Sequence, residues 1–355
     1  MFCWARIAKS LRNKLRLVSM LRITTGLRTP KTYEHIGKLV QEENLKDINM
    51  VEMIKEALAL YGMDNASYEL IRQNENITCK VKHEGKAYVI RIHDPVQGFV
   101  PSIVTEGMSD SELFRSEAEL LQYLASNGFE DVQKPVKALS GEYTENLKNG
   151  VPVMMLTWLE GSPIPQEDVK KYAVDIGRMA GRIHQAAKGF TGKRPHYDAA
   201  LTDRMIAELQ SAIATDHIKV EDGIICMSEL KEIREMQERL DSHTEPSVIH
   251  ADLGISNILV TEKRLIPIDF SLSGFSHPAQ EVGMLMSNYQ DPESIEEILR
   301  GFEESGEKIN KEDAERFLSY SVLLFICMQH GKCYREEWFE QAIKRWCSTI
   351  FVHWA

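Results

Sequence analysis

The sequence predicts an α+β fold, with a small antiparallel sheet first and a larger, mainly helical part after it. Three observations carry this. Residues 67–71, 77–82 and 86–92 alternate apolar and polar side chains and are divided by turn residues. From Pro292 onward, apolar residues recur at helical spacing. Between these regions, Ser247 to Phe270 sets two carboxylates and a carboxamide at the ends of short apolar strands.

The 355 residues suffice for two lobes with sizeable cores. Apolar content of 43% and charged content of 27% are ordinary for a globular chain. A net charge of −11 argues against nucleic-acid binding and fits a cationic substrate. Six cysteines are scattered without a C-x-x-C pair, and a chain this large needs no disulfide staples. Reduced thiols and a cytoplasmic location are therefore expected. No run of eighteen apolar residues is present, so no membrane span is expected.

Residues 1–49 differ from the rest. Arg6, Lys9, Arg12, Lys14, Arg16, Arg22, Arg28 and Lys31 all precede the first acid, Glu34. The expectation is a basic extension outside the working domain; a targeting peptide or membrane-surface helix is the alternative. Val51 to Tyr61 has helical spacing and stops at Gly62. The strands follow, turning at 73–76 and at His83-Glu84-Gly85. A Gly/Pro-bearing loop spans 94–110. A helix then carries Leu113, Leu120, Leu121 and Leu124 on one face and is capped by Asn127-Gly128.

Val151 to Pro165 reads as a buried strand entering a polar crossover, and a division near Glu160 gives an N-terminal part 50–160 and a C-terminal part 161–355. Asp168 to Lys188 is an amphipathic helix whose His184 is expected to be a satisfied core histidine. Two helices lie between Thr202 and Leu240, split near Asp222-Gly223. Later helices cover 292–302, 311–330 (ending at Gly331) and 336–347.

The central stretch reads S-V-I-H-A-D-L-G-I-S-N-I-L-V, then a turn at 262–264, then L-I-P-I-D-F. Val248 and Ile249 deliver His250 and Asp252 into a loop that Asn257 closes, and a returning strand ends on Asp269. Oxygen donors converging at strand ends suit a hard cation beside phosphates. The H-x-D-x-x-x-x-N spacing with a later aspartate is that of phosphoryl-transfer loops. A zinc hydrolase is a poor alternative, because His250 and Asp252 lack a third ligand at a familiar spacing.

With H-A-D-L-G-I-S-N and I-D-F in place, the chain resembles the aminoglycoside phosphotransferase and choline kinase-like superfamily, over about residues 55–290. The resemblance implies a bilobal, protein-kinase-like fold with ATP between a small sheet-bearing lobe and a larger helical one. It implies Asp252 as the catalytic residue orienting a substrate hydroxyl, with Asn257 and Asp269 holding Mg²⁺. His250 and Glu281 would support the catalytic loop; the superfamily usually has aspartate where Glu281 stands. Arg91 matches the strand cation that holds phosphates, and Glu117, rather than Glu119, its helix partner. Asn76 matches the residue closing the nucleotide loop, although Asn74 and Glu75 replace the usual glycines. Met155, Thr157 and Trp158 fall in the hinge that reads adenine. The implied activity is ATP- and Mg²⁺-dependent transfer of the γ-phosphoryl group to a small-molecule hydroxyl, with the acceptor of aminoglycoside, amino-alcohol, amino-acid or sugar type. A protein serine/threonine kinase and a non-catalytic nucleotide-binding scaffold are the alternatives.

Overall fold

The computed structural model describes residues 49–73, 76–94, 103–262, 264–289 and 291–351. Most of the basic extension, Asn74, Glu75 and much of the 94–110 loop therefore lie outside the described residues. Residues 49–56 are helical and belong to a unit ending at Glu56; the unit 57–355 holds everything that follows.

Five strands form one antiparallel sheet in the order β1-β2-β3-β5-β4. They are β1 (Ser67–Gln73), β2 (Asn76–His83), β3 (Lys86–His93), β4 (Thr144–Asn146) and β5 (Pro152–Thr157). The β2–β3 hairpin turns on Glu84 and Gly85, at φ +48° and +76°. Positive φ at both central residues gives the turn whose twist matches its strands. Ile77, Cys79 and Val81 of β2 point inward at every second residue, as alternation predicts. Helix α1 (Asp110–Ser126) begins with a reciprocal capping box between Ser109 and Glu112. Its buried face carries Phe114, Ala118, Leu121 and Leu124.

Beyond residue 160 the chain is mainly helical: α2 (Ala173–Ala187), α3 (Ala199–Ala214), α4 (Val220–Asp241), α5 (Pro278–Met286), α6 (Pro292–Glu303), α7 (Lys311–Cys333) and α8 (Glu337–Thr349). Two small sheets are inserted. β6 (Ser162–Pro163), β8 (Ile258–Val260) and β9 (Leu265–Pro267) form one, in the order β6-β8-β9. β7 (Ser247–Ile249) pairs antiparallel with β10 (Gly274–Ser276) in the other. Among the described residues no helix is long and apolar enough to cross a membrane.

Helices α2 and α6 meet backbone to backbone. A Cβ on Gly177 would lie 2.1 Å from Ile298 O, and one on Gly301 would lie 2.1 Å from Val174 O. This crossing brings Ile298 and Phe302, both fully buried, into the core. Each such side chain is worth about 1.5–3 kcal/mol when removed from water.

The expected split at Asp222-Gly223 is corrected. The break falls at 215–219, and both residues lie in the first turn of α4. Gly223 serves packing rather than a turn, because a Cβ there would meet Ile213 Cδ1 at 2.4 Å. Likewise α7 runs through Gly331 to Cys333 instead of stopping there. His184 is satisfied as expected, with Ser247 Oγ 2.9 Å from Nδ1 and Glu307 Oε2 2.5 Å from Nε2. Cys79, Cys226, Cys327, Cys333 and Cys347 are buried free thiols; Cys3 lies outside the described residues.

Candidate functional site

The site is built on three backbone seams. β7 ends at Ile249 and the chain enters the loop with Ala251 at φ +62°. Asn257 N–H donates to Gly254 O at 2.8 Å, closing a short 3-10 turn (Ile255–Asn257). β8 and β9 then pair, and Ile268 N–H donates to Asn257 O at 2.9 Å. That bond places Asp269, at φ +68°, directly after the residue tied to Asn257. Non-glycine residues hold positive φ only where their surroundings over-determine it, and such residues cluster at functional sites.

Asn257 Nδ2 donates to Asp252 Oδ2 at 2.8 Å and to Asp252 O at 2.9 Å. The amide nitrogen is thus spent within the loop, and the amide oxygen is the atom left to meet a cation. Asp252 is half-buried, Asn257 buried. His250 is fully buried. Burial pulls its pKa down to about 4, so the ring is neutral. In that state Nε2–H donates to Ile268 O at 3.2 Å and Nδ1 accepts from Asp252 N–H at 3.3 Å. One ring therefore links both strands of the motif, and it lies 4.3 Å from the Phe270 ring, centre to centre.

Glu281, in α5, reaches the loop despite replacing the shorter aspartate. Its Oε2 accepts from the backbone N–H of His250 and, at 3.3 Å, from that of Ala251. Oε1 is buried without a partner. Burial pushes the pKa of this carboxyl up to about 7, against the pull of the two N–H donors.

On the sheet side, Arg91 of β3 donates Nη1 to Glu117 Oε1 at 2.5 Å, and both side chains are buried. Glu119 is exposed. Arg91 Nη2 lies 3.7 Å from Asp269 Oδ1, which also accepts from Ser271 Oγ at 2.8 Å. Arg72 of β1, which the sequence does not single out, donates to Asp269 Oδ2 at 2.8 Å. A register shift between Leu70 and Arg72 re-aims this end of β1. Burial alone would raise the pKa of Asp269. The Arg91 and Arg72 guanidiniums overcome that and hold it well below the usual carboxylate range.

Asp252, Asn257 and Asp269 are thus brought together, with Arg91 and Glu117 beside Asp269. The hinge residues differ from expectation in what they offer. Met155 N–H donates to Tyr61 Oη at 3.2 Å, Thr157 N–H to Lys134 O at 2.9 Å, and Trp158 N–H to Ala87 O at 3.2 Å. These donors are committed inside the fold. Asn76 Oδ1 and Trp158 Nε1 are among the buried polar atoms of the described residues that have no partner within the chain. Both belong to residues the resemblance assigns to nucleotide, and their unmet valences fit a polar ligand.

The donor chemistry also fits magnesium, because the Asn257 amide oxygen and the Asp269 carboxylate are hard oxygen ligands. Magnesium ordinarily completes its shell with phosphates and water rather than an all-protein cage. No cluster of three His, Cys, Asp or Glu side chains that could hold a metal occurs among the described residues.

The chain is similar in structure to a microcompartment-associated aminopropanol kinase at 20% identity and TM-score 0.66, covering 84% of this chain and 94% of that one. It is similar to an amicoumacin kinase solved with AMP-PNP, Ca²⁺ and Ami at 18% identity and TM-score 0.67, covering 86% and 95%. A choline kinase from Streptococcus pneumoniae matches at 16% identity and TM-score 0.61, covering 85% and 99%. These likenesses establish the protein-kinase-like α+β fold. No curated protein matches the chain in sequence. The profile of the phosphotransferase enzyme family matches residues 68–318, which span the whole H-x-D-x-x-x-x-N and I-D-F constellation together with Arg91 and Glu117. The chain therefore belongs to the phosphotransferase enzyme family.

Proposed function

We propose that the protein transfers the γ-phosphoryl group of ATP, with Mg²⁺, to a hydroxyl of a small molecule carrying an amine, of the amino-alcohol or aminoglycoside type. The observation that carries this reading is the junction of Asp252, Asn257 and Asp269 beside the buried Arg91–Glu117 pair. The amine is supported by the net charge of −11 and by the aminopropanol and choline kinases among the similar structures. In the proposed division, residues 50–160 hold the nucleotide and 161–355 carry the catalytic loop and acceptor site.

Asp252, held by Asn257, orients the acceptor hydroxyl and receives its proton as the oxygen bonds to the γ-phosphorus. The bond from that phosphorus to the bridging oxygen breaks and ADP leaves. Because the transition state is loose, the position of Asp252 matters more than its basicity. Arg91, which keeps its charge at any working pH, offers a fixed cation to the phosphate chain, and Glu117 holds it there. Magnesium, held by Asn257 and Asp269, would supply charge neutralisation on the phosphates. Asn76 Oδ1 and Trp158 Nε1 are offered to the nucleotide.

ADP release measured over a panel of hydroxylated amines, amino acids and sugars tests the activity, with Asp252→Ala as the control. The expected result is turnover with at least one hydroxylated amine, lowered about 1,000-fold or more in the variant while ATP affinity stays nearly parental. Turnover by Asp252→Ala at the parental rate would sink the assignment.

A further inference from the structure

Arg194 lies between α2 and α3 and is 2% exposed. Its guanidinium has five N–H protons, and five acceptors take them. Nε donates to Ser273 O at 2.8 Å. Nη2 donates to Phe270 O at 3.0 Å and Ser271 O at 2.7 Å. Nη1 donates to Ser116 Oγ at 3.1 Å and Leu113 O at 3.3 Å. The first three acceptors are carbonyls of the turn that follows Asp269. The other two belong to α1, within one turn of Glu117. Tyr197, three residues on, adds a fourth bond to the same turn, donating its hydroxyl to Leu272 O at 2.6 Å.

Asp269 needs such a fixture. Its φ of +68° is uncommon for a non-glycine residue and is kept at a cost that its neighbours must offset. Each carbonyl from Phe270 to Ser273 accepts from Arg194 or Tyr197, and Phe270 O also accepts from Ser273 N–H at 3.1 Å and Ser273 Oγ at 2.6 Å within the turn. The same guanidinium grips the helix that carries Glu117, and Glu117 fixes Arg91. We propose that Arg194 is a positioning residue, clamping the turn 270–273 to α1 so that the Asp269 carboxylate and the Arg91–Glu117 pair keep one mutual geometry. Burial pulls its pKa down to about 10, which leaves it cationic at neutral pH. A lysine would keep the charge but not the planar fork, and its three N–H donors could not satisfy five acceptors.

The consequence for rate rests on the phosphotransfer reading; the clamp does not. Arg194→Lys is compared with the parent for melting temperature, kcat, ATP KM and the Mg²⁺ concentration giving half-maximal rate. The expected result is a folded variant with kcat down about 100-fold, since small misplacements of reacting groups cost that much. The Mg²⁺ requirement should rise about tenfold, a readout that loss of stability alone would not move. A folded Arg194→Lys with parental kcat and Mg²⁺ requirement overturns the proposal. Should this variant not fold, hydrogen exchange on the nucleotide-free Ser116→Ala protein decides it. Exchange about threefold faster at 269–273 as well as at 113–117 is expected; faster exchange confined to 113–117 overturns the clamp. Because exchange requires no turnover, it separates failure of the clamp from failure of the phosphotransfer reading.

Discussion

Arg72 Nη2 sits 2.8 Å from Asp269 Oδ2, joining the edge strand of the sheet to the carboxylate of the I-D-F motif. The two residues are 197 positions apart in the chain. A divalent cation at Asp269, as proposed, would lie beside this guanidinium, and like charges repel.

Removing the guanidinium should therefore ease metal binding. Arg72 is 43% exposed and Asp269 18%, so the ion pair is worth at most about 1 kcal/mol. Arg72→Ala is expected to lower the Mg²⁺ concentration for half-maximal rate about two- to fivefold, with the melting temperature nearly unchanged. A Mg²⁺ titration at saturating ATP checks it; a higher requirement would mean that Arg72 assists the phosphates instead of guarding the carboxylate.

Glu281 makes a pH prediction whose sign follows from its raised pKa. The folded protein holds this proton up to about pH 7, whereas the unfolded chain releases it near 4.5. Between those values the folded state binds more protons, so the contribution of Glu281 to stability is full at low pH and is lost as pH rises through 7. His250 works oppositely, since its folded pKa is depressed to about 4 and it weakens the fold as pH falls below 6.5. Glu281→Gln removes only the first effect. Relative to the parent, it should gain about 2 kcal/mol between pH 5 and pH 8 in urea denaturation. A constant difference across that range would show that the carboxyl ionises normally.

The α2–α6 crossing admits no side chain. Gly177→Ala places a methyl group 2.1 Å from Ile298 O, against backbone that cannot swing away. A loss of about 2–3 kcal/mol is expected in equilibrium unfolding. Gly331→Ala, in α7 with nothing within 4 Å, should instead gain about 0.5–1 kcal/mol by helix propensity. Equal effects at the two sites would refute the packing argument.

Much of the site was legible because its parts are local. Asp252 and Asn257 lie in one loop, and the strands around it are apolar runs of ordinary pattern. The pairing of Arg91 with Glu117 was legible only through the family resemblance, whose helix pattern Glu117 matches. Arg72 and Arg194 were not, for a physical reason. Arg72 stands just past the alternation of its strand, Arg194 follows Lys193 in a segment without periodicity, and the role of each comes from contacts far away in the chain. Strands β4, β6 and β10 have two or three residues each, too few for alternation to register. Gly223 misled because an Asp-Gly pair usually marks a turn, whereas here the missing Cβ makes room for Ile213.

The inward-facing cysteines give the molecule a built-in reporter. Burial raises the pKa of Cys79 to about 11 and also raises those of Cys327 and Cys333. At pH 7 the Cys79 thiolate fraction is about one in ten thousand even before access is considered. With Cys3 changed to serine, an alkylating reagent would then react only through transient openings, and the order in which sulfurs are marked would map which parts of the architecture breathe first.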